Sequence, residues 1–126
     1  MSEMTLFYTP GACSLAGMVV LGWVGRPYRL VRVEAAQRKS SAFLALNPLG
    51  RVPALGTPEG VLVENSAILL RLAAGRPDLA PPVGTRAGDL LQQWLSYLGT
   101  TYHVAWGPFF APGRFHADPG QHGAVR

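Results

Sequence analysis

The chain has 126 residues, of which 48% are hydrophobic and 14% charged, and its formal net charge is +4 at pH 7. This length suits one domain, or a small domain with part of another, and the composition is that of a folded protein with a buried core. The mild excess of positive charge includes no run of Lys or Arg and no nucleic-acid-binding motif. We therefore expect no nucleic acid among the partners.

The sequence also argues against a membrane or secreted protein. No apolar run reaches the roughly 18–20 residues that cross a bilayer, and the first fifteen residues lack the basic and apolar regions of a signal peptide. The single cysteine, Cys13, permits no disulfide within the chain, which fits a reducing compartment. These features predict a cytoplasmic protein.

The first 75 residues alternate between strands and helices in the order β-α-β-α-β-β-α. Short apolar or alternating runs predict strands, and apolar runs that end at Gly or before Pro predict helices. The predicted elements are a strand at 4–8, a helix at 14–24, an edge strand at 28–34, a short helix before Pro48, a hairpin in which "RVPAL" and "GVLVE" flank "GTPEG", and a helix from Asn65 or Ser66 to Gly75.

The composition changes after this segment. Residues 76–85 carry three of the eleven prolines and are predicted to form a linker. A longer amphipathic helix is predicted at 86–106, and the last twenty residues are rich in Gly and Pro. The apolar face of the predicted helix requires cover by partner helices or by a second subunit. The apolar residues on that face are Leu91, Trp94, Leu95, Leu98 and Tyr102.

The stretch "YTPGACSL" (8–15) places Cys13 and Ser14 where a strand ends and a helix begins. Unpaired N–H groups and the positive end of the helix dipole favour a thiolate there, so we expect the pKa of Cys13 to lie below about 8.5. Cys13 and Ser14 would then face a sulfur nucleophile. The alternative is that Cys13 is a small buried residue with a packing role. Without a second cysteine, redox chemistry needs an external thiol.

Two further stretches point to the same pocket. In "GRVPAL", Pro53 enters a strand, and a cis bond there would leave the N–H and C=O of Val52 free to pair with an extended peptide. The alternative is an ordinary trans proline at a sheet edge. In "VENSAI", Glu64 at a helix start suits an ammonium, and the helix N-terminus suits a carboxylate. Glu64 and the helix N-terminus would together bind the end of a ligand that carries both an ammonium and a carboxylate group, as an amino acid does. The alternative is that these residues only cap the helix.

Three motifs, "YTPGACSL", "NPLGRVPAL" and "ENSAILLRLA", in this order and spacing resemble the N-terminal domain of bacterial glutathione S-transferases, most closely the beta class. The helix in "QQWLSYLGTTYHVAWGPFF" resembles the first helix of that family's all-helical domain. The resemblance implies an α/β, thioredoxin-like βαβ-ββα domain at 1–77, a linker at 78–84 and an incomplete helical domain at 85–126. The family's chains continue through further helices, so we expect a truncated chain or a fragment.

The resemblance also implies roles for individual residues. Cys13 matches a cysteine that faces the glutathione sulfur, Ser14 follows it as in that class, and His103 matches a histidine near the sulfur; a surface or packing position is the alternative for His103. Tyr8 matches a tyrosine that activates the thiol in other classes. The expected glutathione-binding residues are Tyr8, Arg38 (or Lys39), Arg51, Val52, Pro53, Glu64, Asn65 and Ser66, with Asn65 standing where the family often has serine.

The expected ligands are glutathione as cosubstrate and a small electrophile, and a homodimer is expected from the family. No metal is expected, because the spacing of His116 and His122 in a Pro-Gly tail fixes no ligand geometry. Two other functions remain open. One is a non-catalytic binding or dimerisation module, and the other is a glutaredoxin-like thiol reductase that uses Cys13.

Overall fold

In a computed structural model that describes residues 3–125, four strands form one mixed sheet. They are β1 (Met4–Tyr8), β2 (Tyr28–Arg32), β3 (Ala54–Thr57) and β4 (Gly60–Val63). The strand order is β2-β1-β3-β4. β1 is parallel to β2 and antiparallel to β3, which forms a hairpin with β4.

Three helices accompany the sheet: α1 (Ser14–Val24), α2 (Ser41–Leu46) and α3 (Asn65–Ala73), with a short 3₁₀ segment at Gln37–Lys39. β1, α1 and β2 form a parallel unit, and β3, β4 and α3 follow as a hairpin and a helix. This is the thioredoxin-like βαβ-ββα arrangement, and the predicted fold class is confirmed.

The core lies between α1, α3 and one face of the sheet. Five residues from these elements are almost fully buried in one cluster: Leu6, Leu21, Leu55, Ile68 and Leu72. Gly17 allows α1 to approach the sheet closely, because a Cβ atom there would lie 3.3 Å from Cδ2 of Leu6. Since strand side chains alternate between faces, Phe7 points the other way and packs edge to face against Phe43 of α2.

Three predicted strands differ from the structure at their ends, and for β4 the difference is one residue, because it ends at Val63 rather than Glu64. β2 ends at Arg32 rather than Glu34, because its partner strand β1 ends at Tyr8, the residue that pairs with Arg32. β3 begins after Pro53, which has no N–H to donate. The hairpin turn is shorter than the predicted "GTPEG", because β3 continues to Thr57 and β4 begins at Gly60. The Thr57 hydroxyl donates to the Gly60 carbonyl and accepts from the Glu59 N–H.

The chain divides into two compact units between Pro82 and Val83. In the second unit, α4 (Arg86–Tyr97) is followed by a π-helical turn (Leu98–Tyr102) and then by α5 (His103–Ala105). The chain is thus helical from Arg86 to Ala105, close to the predicted bounds, and the prediction did not include the π-helical turn. The Thr100 hydroxyl donates to the Ser96 carbonyl at 2.9 Å, and a side chain that competes for a helix carbonyl favours such a widened turn.

Two short helices complete the second unit, α6 (Gly107–Phe110) and α7 (His122–Val125). Aromatic rings pack against one another along residues 94–110, with edge-to-face pairs at Trp94–Tyr97 and Tyr102–Trp106. Both tryptophans remain exposed, at 54% and 44%. Within residues 3–125, no helix combines the length and the apolar character needed to cross a bilayer.

Candidate active site

Cys13 lies at the start of α1, after a tight turn that leaves β1. Gly11 has φ of +73°, a conformation that favours glycine, and the Ala12 N–H donates to the Thr9 carbonyl at 3.2 Å. Cys13 immediately precedes the first helical residue and is half-buried. Its Sγ atom lies 3.8 Å from the Val52 carbonyl oxygen, within thiol hydrogen-bond range. The turn thus aims the thiol at the segment that precedes β3.

The expected lowering of the Cys13 pKa is wrong. Burial raises the pKa of the Cys13 thiol above its ordinary value, and the Glu64 carboxylate raises it further; the backbone N–H groups of Cys13 and Ser14 lower it, but by less in total. The helix N-terminus therefore acts in the expected direction and is outweighed by desolvation. The thiol of Cys13 is consequently neutral near pH 7.

Ser14 has a different environment from the one expected for a ligand-facing hydroxyl. Its side chain is fully buried. The Oγ atom donates to the Thr9 carbonyl at 3.3 Å and accepts from the Thr9 N–H at 3.4 Å. These two bonds hold the turn before α1. Any contact of the Ser14 hydroxyl with a thiol stays a prediction.

The Val52–Pro53 peptide bond is cis, in agreement with the expectation from the family resemblance. Val52 is half-buried and Pro53 is buried. The preceding loop is held by Asn47, which is only 3% exposed. Its Nδ2 donates to the Arg51 carbonyl at 2.8 Å, and its Oδ1 accepts from the Leu49 N–H at 3.1 Å. Sequence reasoning did not single out Asn47, although its place before Pro48 in a turn-rich motif was a usable signal.

Glu64 connects β4 to α3 in an unusual backbone conformation. Its φ is +72°, and within residues 3–125 it is the one non-glycine residue with positive φ. Such strain persists only where the surroundings enforce it, and it often marks functional sites. The register pairs Ala54 with Val63, so Glu64 follows on the strand beside Pro53. Its exposed carboxylate is close enough to raise the Cys13 pKa, which brings Cys13, Val52 and Glu64 to one region.

The other predicted residues of the first unit lie at the end of β1, in the 3₁₀ segment, in the loop before β3 and at the start of α3. Asn65 opens α3 with a buried Oδ1 that has no hydrogen-bond partner among the described residues, and Ser66 is half-buried in the same turn. Tyr8 ends β1 and is half-buried, whereas Arg51 is exposed. Arg38 lies in the 3₁₀ segment. Its backbone is close to Gly50, because a Cβ atom added to Gly50 would lie only 2.8 Å from the Arg38 carbonyl oxygen. The Arg38 backbone therefore contacts the loop that leads to Val52.

His103, in the second unit, is the first residue of α5 and is exposed. Its predicted place near a glutathione sulfur stays a prediction. His116 and His122 are joined by a contact of 2.9 Å between Nε2 of His122 and the His116 carbonyl oxygen. Over the part of the chain that the structure describes, His, Cys, Asp and Glu side chains form no group of three or more able to hold a metal ion.

Comparison with known proteins assigns the chain to a family. Residues 2–73 match the glutathione S-transferase N-terminal domain. The chain is 38% identical over 115 residues to glutathione S-transferase GstA of Escherichia coli O157:H7, with 86% of this chain and 57% of that protein covered. It thus spans little more than half the length of this relative.

Two solved structures are also similar to the chain. A glutathione transferase homologue from Sulfitobacter with bound glutathione superposes with a TM-score of 0.86 at 32% identity, over 99% of this chain and 62% of the other. The beta-class enzyme of Sphingomonas chungbukensis gives 0.76 at 45% identity, over 86% and 57%. The chain therefore belongs to the glutathione S-transferase family and is similar to bacterial members of that family.

Proposed function

We propose that this chain binds glutathione and activates its thiol for attack on an electrophile. The observation that carries the proposal is the convergence of the Cys13 thiol, the Val52 carbonyl and the Glu64 carboxylate at the starts of two helices. The bound glutathione in the similar Sulfitobacter structure supports the choice of ligand. The thioredoxin-like region 1–77 would bind it, ahead of a linker at 78–84 and an incomplete helical domain at 85–126.

Each part of the tripeptide has a chemically suitable partner. The backbone of Val52 would pair with the cysteinyl residue. Glu64 would bind the ammonium of the γ-glutamyl end, while the first turn of α3, with Asn65 and Ser66, would bind its carboxylate. Arg38 or Lys39 would bind the glycine carboxylate, with Arg51 and Pro53 at the edge of the site. Cys13 would face the glutathione sulfur, with Tyr8 and His103 as further neighbours of the thiol.

The proposed reaction is deprotonation of the glutathione thiol followed by substitution at the electrophile. The glutathione thiol gives up its proton to solvent water, and the thiolate attacks an electrophilic carbon, so that a C–S bond forms as the bond to the leaving group breaks and that group departs with the bonding electron pair. Donors at the start of α1 would stabilise that thiolate. Ser14 would contribute its backbone N–H, which already lowers the Cys13 pKa, because its hydroxyl is bonded to Thr9.

Ultraviolet absorbance of the bound thiolate tests this proposal. We expect the pKa of glutathione to fall when it is bound, relative to the free tripeptide, and we expect glutathione to raise the melting temperature, because a ligand that binds the native state alone stabilises it. Thermal stabilisation with an unshifted thiol pKa would contradict activation. Absence of stabilisation at high glutathione concentration would contradict binding altogether.

A second candidate is a non-catalytic glutathione-binding or dimerisation module. The observation that favours it is that burial keeps the Cys13 thiol protonated while the Ser14 hydroxyl is occupied by Thr9. The same raised pKa counts against a glutaredoxin-like reductase, which needs a reactive thiolate. The absorbance measurement separates the two candidates, since a binding module would leave the glutathione pKa unchanged. A homodimer and a small electrophile as further partners are proposed from the family.

A further inference from the structure

Asn47 holds the loop that leads to Val52 through both ends of its side-chain amide. Its Oδ1 accepts from the Leu49 N–H, and its Nδ2 donates to the Arg51 carbonyl. Because one partner is a donor and the other an acceptor, the amide has one orientation that satisfies both. The Gly50 N–H also donates to the Asn47 carbonyl at 2.9 Å. Asn47 thus fixes three points of the loop from a position that is 3% exposed.

The same loop delivers the Val52 carbonyl to the site. Arg51, whose carbonyl Asn47 binds, is the residue immediately before Val52. The Val52 carbonyl oxygen already faces the Cys13 thiol, and a carbonyl oxygen has two lone pairs. It can therefore accept from that thiol and from one further N–H. On the other side, Gly50 (φ +60°) contacts the Arg38 backbone, which limits how far the loop can shift.

We infer that Asn47 is a positioning residue, which holds the Val52 carbonyl where it accepts from both the Cys13 thiol and the cysteinyl N–H of glutathione. The part that concerns glutathione rests on the proposed function, whereas the part that concerns Cys13 does not. Buried side-chain bonds of this kind orient a backbone group that binds a ligand without contacting the ligand themselves.

Binding of two ligands tests the first part. The variants are Asn47→Asp, which keeps the acceptor and removes the donor, and Asn47→Ser, which is smaller and uncharged. The ligands are glutathione and its depsipeptide analogue, here called the ester, in which an ester bond replaces the amide between the γ-glutamyl and cysteinyl residues. In this analogue an oxygen atom stands in place of the cysteinyl N–H. We expect both variants to bind glutathione about tenfold more weakly, as for the loss of one well-placed hydrogen bond, and the ester less than about twofold more weakly. Equal losses for the two ligands would overturn the inference.

The matched control is Thr57→Val. Thr57 also bonds two backbone groups of one turn, at the far end of the β3–β4 hairpin. This variant should change neither dissociation constant. A loss of glutathione affinity equal to that of the Asn47 variants would show a general effect of loosened turns and would contradict a specific role for Asn47. Failure of both Asn47 variants to fold would assign Asn47 to global stability and would also overturn the inference.

The second part is tested without glutathione. Cys13 is the single cysteine, so alkylation by iodoacetamide reports on it alone. Release of the Val52 carbonyl removes an acceptor that favours the protonated thiol, so Asn47→Ser should react about threefold faster at pH 7.5 than the parent protein; Thr57→Val should match the parent. If the parent protein does not bind glutathione, the proposed function fails and this rate alone decides the inference. An unchanged rate in Asn47→Ser would overturn it.

Discussion

The Sγ atom of Cys13 lies 3.8 Å from the carbonyl oxygen of Val52, which follows it by 39 residues in the chain. Two turns create this contact, the one that enters α1 and the one that enters β3. Burial raises the pKa of the Cys13 thiol, and the Glu64 carboxylate raises it further. The fold therefore keeps the Cys13 thiol protonated near neutral pH and places it beside the Val52 backbone.

Replacement of Cys13 should change how stability depends on pH. The pKa of Cys13 is higher in the folded protein than in the unfolded chain, so the folded state holds the thiol proton more tightly. This contribution is fully present below about pH 8.5, the ordinary thiol pKa, and is lost as the pH rises through the folded pKa. Urea unfolding at pH 7–10 should show the stability advantage of the parent protein over Cys13→Ala shrinking at alkaline pH. A constant difference would contradict the raised pKa.

Glu64→Gln should make Cys13 more reactive. Removal of the carboxylate removes one cause of the raised Cys13 pKa, so the pH profile of iodoacetamide alkylation should move to lower pH. At a fixed pH near neutrality, the rate should rise about twofold, in keeping with a charge in a partly solvated site. The control is Glu59→Gln, at an exposed hairpin turn where Glu59 pairs with Arg71 at 3.0 Å. Equal acceleration in both variants would argue against a local effect of Glu64.

Two glycines of α1 should respond in opposite ways to substitution by alanine. A Cβ at Gly22 meets nothing within 4 Å, so Gly22→Ala should raise the free energy of unfolding by about 0.5–1 kcal/mol through helix propensity. A Cβ at Gly17 would lie 3.3 Å from Leu6, which is fully buried, so Gly17→Ala should lower it by about 1 kcal/mol through overpacking. Chemical denaturation measures both, and equal stability of the two variants would contradict the tight packing of α1 on β1.

Gly50→Ala should cost more stability than Gly75→Ala. Both glycines have positive φ, at +60° and +80°, but a Cβ at Gly75 meets nothing within 4 Å, whereas one at Gly50 would lie 2.8 Å from the Arg38 carbonyl oxygen. The conformational cost alone is about 1–2 kcal/mol, and the contact at Gly50 should bring the loss to about 3 kcal/mol or more. Thermal unfolding compares the two variants. Similar losses would mean that the loop before Val52 moves away from Arg38 at little cost.

Much of the first unit was predictable from the sequence because local signals and tertiary packing agree there. The apolar run at Met4–Tyr8 and the stretch from Ser14 to Val24 that ends at Gly25 predicted β1 and α1 with their observed bounds. Strand ends were less predictable. β2 ends where its partner β1 ends, at the pair Tyr8–Arg32, and the residue pattern of β2 alone does not carry that information.

The electrostatics of the site were predicted less well than its location. Position at a helix start suggested a lowered Cys13 pKa, but the net direction depends on how deeply the thiol is buried and on Glu64, which is distant in sequence. The buried bonds of Ser14 to Thr9 likewise depend on how the turn folds back. Such effects follow from tertiary proximity, and a linear motif carries little information about them.

The distribution of aromatic rings gives the two units separate spectroscopic signatures. The edge-to-face pairs that involve Trp94 and Trp106 all lie within residues 94–110, so the near-ultraviolet circular dichroism of coupled indole and phenol rings arises mainly from the second unit. The single thiol lies in the first. Melting followed by dichroism and by pulsed thiol labelling would therefore reveal whether the units unfold in one cooperative transition or in two.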